Sequence, residues 1–282
     1  MFALAVSLSR VPNVRFLEML QNIPDLTWTP GVSQYFLDES IQVTKSQRVN
    51  QVSQKTRYVG AAAGSFSWLD EKPECLKVGE QQSCSADWAF SAVGSFSDNR
   101  CISGKDSARV AYSEQYALSC DSSSNGCYGS NSMQNPQNFL KRTGVPTQKC
   151  VSYKSGLTGK VMVCPSGCDN GANMQLVKSV SFEDVCSGEE SIMNALTQGT
   201  IQSQLDVYSD FMYYVDGIYK HVSGDVLGQL MVSIVGYGEE NSTKFWIVRN
   251  AWGTAWGEQG YFRIVRGTNE CQIERQCFLT VV

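Results

Sequence analysis

The residues best suited to chemistry lie within 81–91, which read QQSCSADWAFS. Cys84 offers a thiol there, and Asp87 offers a carboxyl at the start of a helix-forming run. A cysteine cleaves an amide as a thiolate, and a paired imidazolium protonates the departing amine. The chain has 11 cysteines but a single histidine, His221. Cysteine-based catalysis therefore depends on whether that one imidazole can reach a thiol.

Several motifs, all in one order, resemble the cathepsin B-like members of the papain family. In that group the nucleophile lies in a Cys-Gly-Ser-Cys-Trp signature, with a histidine and an asparagine far downstream. The resemblance runs from about residue 65 to the C-terminus. It implies an α+β fold with a helical lobe facing a β-rich lobe across a cleft. Its matching segments are Gln81, residues 88–91, 207–211, 217–222, 245–253 and 256–262.

Both members of the family's catalytic pair are replaced. Asp87 occupies the position of the nucleophilic cysteine, and Leu230 falls on the catalytic histidine when the chain is aligned back from residues 235–238. His221 matches a non-catalytic histidine nine residues earlier, and we expect it at a strand end on the surface. Gln81 and Asn250 match the family's oxyanion-hole glutamine and histidine-orienting asparagine. Loss of one triad member costs about 10⁶ in rate, so the sequence predicts a pseudoprotease.

Asp87 is interpreted as a structural residue. A helix start favours an anion, so we expect its carboxyl to ionise readily and to accept backbone N–H bonds. An aspartic-protease mechanism would need a second carboxyl sharing a proton, and none lies beside Asp87 in sequence. Asn250 has lost the histidine it would orient. We expect its amide to bond a nearby backbone group or a water, because a buried unpaired amide costs about 1–3 kcal/mol.

The resemblance also places the substrate cleft. Gly129 and Ser130 match two family glycines that let a substrate backbone lie close, and Ser130 adds a side chain. Met231 replaces a small residue that lines the pocket for the substrate's second side chain, while Gln276 matches the floor of that pocket. Trp252 matches the tryptophan that covers the asparagine–histidine bond. A narrower pocket is expected. The segment between residues 150 and 164 has no histidine, so carboxydipeptidase activity is not supported.

Eleven cysteines indicate an oxidising compartment. The resemblance implies disulfides between Cys75 and Cys101, Cys84 and Cys127, Cys120 and Cys164, and Cys150 and Cys168. The remaining Cys186, Cys271 and Cys277 lie in no motif that marks a substitute nucleophile, and they are expected to be free or mutually bonded. A zinc site at Cys164 and Cys168 is the alternative, but it lacks a second spaced pair. No metal or cofactor is therefore expected.

The N-terminal part is divided into two segments. Residues 1–9 form a possible short signal peptide, although they lack a basic start. Residues 10–64 are propeptide-like: Val14, Leu17 and Leu20 recur at helical spacing, and the polar run 44–64 is typical of a linker. Residues 65–282 form the peptidase-like domain. Without self-processing, the propeptide-like segment is expected to stay attached and cover the groove unless another protease removes it.

The order of predicted elements separates helices from strands. A central helix is predicted over 87–100, Ser113 caps the next, and a third begins at Asn135 and Pro136 and ends at Gly144. β-Branched and aromatic runs then predict strands over 201–207, 230–235, 245–249 and 261–265. This order matches the helical and β-rich lobes implied by the resemblance.

Composition excludes several function classes. The net charge of −4 gives no basic face for nucleic acid, and no apolar run approaches the 18 residues of a membrane span. We expect a monomeric binding or regulatory protein of the secretory, extracellular or lysosome-like route, whose partners are protease inhibitors, propeptides or related peptidases. The alternatives are an active papain-family cysteine endopeptidase with an unidentified thiol and base, or a product without a selected role.

Overall fold

The computed structural model describes residues 6–7, 13–33, 35–36, 42–43 and 64–282. Its helices are α1 (Val14–Gln21), α2 (Trp68–Glu71), α3 (Asp87–Ile102), α4 (Glu114–Cys120), α5 (Gln134–Arg142), α6 (Ser155–Thr158) and α7 (Glu189–Leu196). Its strands are β1 (Val6–Ser7), β2 (Trp28–Pro30), β3 (Gln42–Val43), β4 (Phe66–Ser67), β5 (Ser181–Asp184), β6 (Ile201–Tyr208), β7 (Tyr214–Tyr219), β8 (Val226–Glu240), β9 (Thr243–Arg249), β10 (Tyr261–Val265) and β11 (Cys277–Val281).

One large sheet organises the second half of the chain. Its strands run in the order β2-β7-β10-β9-β8-β6-β11-β5, and β4 pairs with β8 beside this path. Neighbouring strands are antiparallel except for β10 and β7, which are parallel. The long strand β8 pairs with β6 over residues 226–234 and with β9 over residues 233–240, so residues 230–231 are paired on the β6 side alone.

Helix α3 lies between the two halves of the molecule. All of its residues except Arg100 are buried, and it contacts both β8 and the helices α4 and α5. A helix that is covered on all sides needs small or apolar residues around its whole circumference, not on one face alone. Helix α3 has small residues such as Ala89 and Gly94 that suit this position. We call α3–α6 the helical lobe and β5–β11 with α7 the β lobe. The position of α3 brings its first turn to the boundary between the lobes.

The described part of the N-terminal segment packs onto the β lobe. Strand β2 pairs antiparallel with β7, and Trp28 donates from Nε1 to the Lys220 carbonyl at 3.0 Å. Leu20 at the end of α1 is fully buried and belongs to the same apolar cluster as Trp28. The segment therefore contributes to the core of the β lobe. The predicted signal peptide at 1–9 and linker at 44–64 fall largely outside the described residues.

Five disulfides cross-link the described residues 64–282. The four predicted pairs are confirmed, and Cys186 pairs with Cys277, joining the segment after β5 to β11. Cys271 remains as a buried free thiol. Because Cys164 and Cys168 both lie in disulfides, neither offers a thiolate to zinc.

The predicted elements are present, but their bounds differ: α5 begins one residue before the predicted Asn135 and ends at Arg142, short of Gly144, while β10 keeps the predicted bounds 261–265. Helix α3 continues two residues past the predicted end at residue 100, and β8 extends well beyond both ends of the predicted 230–235 strand. Ser113 caps α4 by accepting a hydrogen bond from the Tyr116 N–H. Within the described residues, no helix combines the length and apolarity needed to cross a membrane.

Candidate active site

Asp87 lies at the first position of α3 and is only 6% exposed. Its Oδ2 accepts a hydrogen bond from the backbone N–H of Met231 at 2.8 Å. The preceding residue, Ala86, provides no side-chain cap. The carboxyl was expected to accept N–H groups at the helix start. Its long-range bond instead comes from a strand 144 residues further along the chain.

The protonation of Asp87 differs from the expectation. Burial raises the pKa of this carboxyl to about 7, although hydrogen bonds from the N–H groups of Met231 and Asp87 itself act in the opposite direction. The favourable field of a helix N-terminus is therefore outweighed by loss of hydration, which penalises a buried carboxylate. At mildly acidic pH the group is largely a neutral acid, which is a poor nucleophile.

Leu230 directly precedes Met231 on β8 and is 3% exposed. Its Cα is paired with that of Leu205 on β6, and its side chain joins the apolar cluster of the β lobe. An aliphatic side chain carries no titratable proton. The position that the resemblance assigns to the base is therefore filled by core packing.

His221 is held by its own lobe. Its Nδ1 lies 3.0 and 3.1 Å from the two carboxylate oxygens of Asp210, and its ring stacks on Tyr208 with centroids 3.7 Å apart. The backbone N–H of His221 donates to Glu270. The expected surface histidine is thus partly buried and fixed by an acid and a ring. None of these contacts involves Asp87.

Asn250 follows β9 and is 2% exposed. Its Oδ1 accepts a hydrogen bond of 2.7 Å from the backbone N–H of Ala251, as expected for an amide that has lost its histidine. Its Nδ2 is buried with no hydrogen-bond partner among the described residues. The amide oxygen of Asn250 is therefore hydrogen-bonded locally, whereas its NH₂ group is a donor without a partner in the described structure.

Gln81 and Trp252 are both buried next to this asparagine. The backbone of Gln81 donates to the Ala251 carbonyl at 2.8 Å and accepts from the Tyr153 hydroxyl at 2.8 Å, whereas its side-chain Oε1 has no partner in the described structure. The Trp252 Nε1 likewise lacks a partner there. The glutamine and tryptophan that match family positions are thus both buried here, each with one polar side-chain atom that lacks a partner in the described structure.

Two residues of the N-terminal segment cover Trp252, and sequence reasoning did not single them out. The Tyr35 ring is nearly parallel to the Trp252 ring with centroids 6.1 Å apart, and Phe36 meets it edge-on at 5.6 Å. Tyr35 is only 4% exposed. The aromatic pair at 35–36 was the available signal, since adjacent aromatic residues in a propeptide-like segment are suited to docking on a tryptophan.

The cleft residues taken from the resemblance lie on both lobes. Gly129 adopts φ +90°, which favours glycine. Ser130 is 4% exposed, and its hydroxyl bonds the Ser132 carbonyl and the Ser124 hydroxyl, so its side chain is directed into its own loop. Met231 is buried and Gln276 is partly exposed.

A buried charge cluster behind the site was also missed. Asp98 of α3 is fully buried between two guanidinium groups, Arg249 at 2.7 Å and Arg109 at 3.0 Å. Arg249 directly precedes Asn250 at the end of β9. The sequence feature that could have indicated the charge cluster is Arg249, a charged residue directly after the apolar run FWIV.

The comparisons with known proteins agree with this architecture. The model of the papain family cysteine proteases matches residues 62–281. The chain belongs to the papain family. "Cathepsin B-like CP3" of Giardia intestinalis is 44% identical over 219 residues, which cover 76% of this chain and 73% of that protein. "Cathepsin B-like cysteine proteinase 5" of Caenorhabditis elegans is 32% identical over 257 residues, which cover 78% and 74%.

A solved structure extends the similarity to the fold. Procathepsin B S9 from Trypanosoma congolense superposes with a TM-score of 0.85 at 25% identity, covering 96% of this chain and 98% of that one. This papain-family chain is thus cathepsin B-like. The neighbour is a proform, which accords with the way residues 13–33 pack on the β lobe here.

Proposed function

We propose that this chain is a catalytically deficient cathepsin B-like protein with a binding or regulatory role. The observation that carries the proposal is the hydrogen bond from the Met231 N–H to Asp87, with Leu230 beside it. A papain-family peptidase needs a thiolate and an imidazolium at this boundary between the lobes. A neutral carboxyl at position 87 and an aliphatic side chain at position 230 supply neither the attacking sulfur nor the proton for the leaving amine.

The free thiol does not substitute for the missing nucleophile. Cys271 is buried, and loss of hydration together with the adjacent Glu270 holds its pKa far above the usual range of a thiol. Reactive cysteines lie in electropositive, partly exposed surroundings. Cys271 and His221 both lie near Glu270 in the β lobe, away from Asp87. These contacts favour the pseudoprotease over an active cysteine endopeptidase.

The binding role rests on the retained groove and its cover. Gln81, Asn250 and Trp252 keep family positions, and Tyr35 and Phe36 lie against Trp252. We propose that the N-terminal segment stays seated after synthesis, because the chain has no means of cutting it. Protease inhibitors, free propeptides or related peptidases are the proposed partners, in a secretory or lysosome-like compartment that the five disulfides suit.

The experiment is a pair of measurements on the purified full-length chain. A thiol-directed epoxide inhibitor is incubated with the folded protein, and labelled peptides are mapped by mass spectrometry. The proposal expects no label in the groove, while an active relative treated in parallel is labelled at its nucleophile. Co-purification of the chain with a stoichiometric inhibitor or peptidase supports the binding role. Epoxide labelling within the groove would establish the enzyme alternative instead.

A further inference from the structure

A cavity of about 260 Å³ lies between the lobes, behind the candidate active site. Its walls come from three parts of the chain: residues 77–80, the helical lobe and the β lobe. Gly94 of α3 helps to form it, because a Cβ there would lie 2.9 Å from a terminal nitrogen of Arg249. Charged, polar and apolar side chains all contribute to the lining. Among them are Lys77, Phe90, Arg109, Glu114, Val232 and Arg249.

The cavity is rich in hydrogen-bond donors. Arg109 bonds Asp98 through Nε, and the described residues give its two terminal nitrogens no further bond. Lys77 is exposed at the mouth. Asn250 lines the cavity, and its buried Nδ2 has no partner within the described structure. Cationic and amide donors around one space favour an anion, since each would form a charge-assisted hydrogen bond with it.

The balance of charge points the same way. Asp98 neutralises only one of the two guanidinium groups that it bonds. Lys77 adds a third positive charge, and the exposed Glu80 at the rim adds a second negative charge to that of Asp98. When Glu114 is neutral, the net charge of these five groups is therefore +1.

We propose that this interlobe cavity binds a small oxyanion, a carboxylate or phosphate-type ligand, through Lys77, Arg109 and Asn250. The volume exceeds the roughly 150 Å³ that is enough to hold benzene, so it admits a small organic anion as well as an inorganic one. Phe90 and Val232 give the space apolar walls as well, against which a short hydrocarbon tail of a carboxylate would pack. The ligand would touch both lobes, so its binding stabilises their association.

Glu114 makes the binding depend on pH. Its carboxyl is 8% exposed and lies 3.4 Å from Nε2 of Gln148. Burial raises the pKa of Glu114 to about 7 against the opposing fields of Arg109, Lys77 and Arg249. Below that pH the neutral acid can donate to an oxyanion, and above it the carboxylate repels one. Affinity should therefore fall as pH rises through about 7.

The test is thermal unfolding and calorimetric titration of the full-length chain. Phosphate, sulfate and succinate are each compared with chloride at matched ionic strength, at pH 5 and pH 8. We expect a saturable rise in Tm at pH 5, and the effect of pH is read from sulfate, which carries the same charge at both pH values and should bind more weakly at pH 8. The ligand that gives the tightest binding distinguishes a phosphate-type site from a carboxylate site. The absence of a saturable effect from all three would overturn the proposal.

Variants locate the site. Lys77→Gln and Arg109→Gln should each raise the Kd at least tenfold, whereas Arg142→Gln at the exposed end of α5 should leave it unchanged. Glu114→Gln should bind equally well at both pH values. If Arg109→Gln does not fold, the exposed Lys77 still provides the test. An unchanged Kd in Lys77→Gln would rule out the proposed donors.

Discussion

Asp87 and Met231 are joined by a hydrogen bond of 2.8 Å that links the start of α3 to strand β8. In an active papain-family peptidase, the corresponding contact between the lobes is an ion pair of thiolate and imidazolium. Here a carboxyl oxygen and a backbone amide make the connection. The chain keeps an interaction across the cleft, and under the proposed function this interaction is structural rather than catalytic.

Removing the Asp87 carboxyl should destabilise the protein. Asp87→Ala leaves the buried Met231 N–H without an acceptor, so we expect a loss of about 1–3 kcal/mol in the free energy of unfolding. Asp87→Asn keeps an acceptor oxygen and should cost less at pH 5. Urea denaturation of the two variants measures the difference. An alanine variant as stable as the parent chain would show that the bond contributes nothing.

Stability should decrease as pH rises from about 4 to about 7. Burial raises the pKa of Asp87 and of Glu114 to about 7, above their unfolded values, so the folded state binds more protons across this interval. Each pKa unit corresponds to 1.36 kcal/mol, so relative to high pH the stabilisation at low pH is on the order of 3–4 kcal/mol per group. This stabilisation is fully present below the pKa that each group has in the unfolded chain. It is lost as pH rises through the pKa of the same group in the folded protein.

Asp169 sets the lower side of the optimum. Hydrogen bonds from Lys154 and Ser152 lower its pKa to about 2, so its contribution is present above the unfolded pKa and is lost as pH falls toward 2. Thermal unfolding from pH 3 to pH 8 should show the highest Tm near pH 4–5. The Asp87→Asn/Glu114→Gln variant should have a flatter profile above pH 5. A parent chain that is most stable at pH 8 would contradict these protonation states.

Cys271 should be unreactive in the folded protein. The thiol is buried, and its pKa is raised by burial and by Glu270. We expect a thiol reagent to modify no cysteine in the native, unreduced chain and one after denaturation without reductant. In the Cys271→Ser variant, no cysteine should be modified even after denaturation. Rapid labelling of the native chain at Cys271 would remove the argument against this thiol as a nucleophile.

The N-terminal segment should be part of the cooperative folding unit. Trp28 is 3% exposed and packs with Tyr214 and Tyr219, so Trp28→Ala should cost about 3–5 kcal/mol in unfolding free energy. Val14→Ala is a control in the same segment, because Val14 is 60% exposed and should change stability by less than about 0.5 kcal/mol. Equal stabilities of the two variants would show that the segment is not part of the folded core.

Sequence motifs were sufficient for the fold and, through the family resemblance, for four of the disulfides. The motif around residues 245–262 and the segment 81–91 are local, so their positions could be read without knowing any contact. The helix cap at Ser113 was predictable for the same reason, since a cap depends on residues within one turn.

The properties that sequence could not give depend on distant contacts. Asp87 was expected to ionise because its position in the helix was visible, whereas its burial against Met231 was not. Cys186 and Cys277 are 91 residues apart, and their pairing follows from the approach of β11 to the segment after β5. The aromatic cover of Trp252 by Tyr35 likewise joins residues more than 200 positions apart.

The most direct test of the central claim is peptide-library turnover by the purified chain under reducing, mildly acidic conditions. Asp87→Cys and Asp87→Cys/Leu230→His are assayed beside it. We predict no turnover above background for the parent chain or for Asp87→Cys, because a restored thiol still lacks a proton carrier, and measurable hydrolysis only for the double variant. Turnover by Asp87→Cys alone at a rate near that of active relatives would contradict the assignment of Leu230 to the missing base.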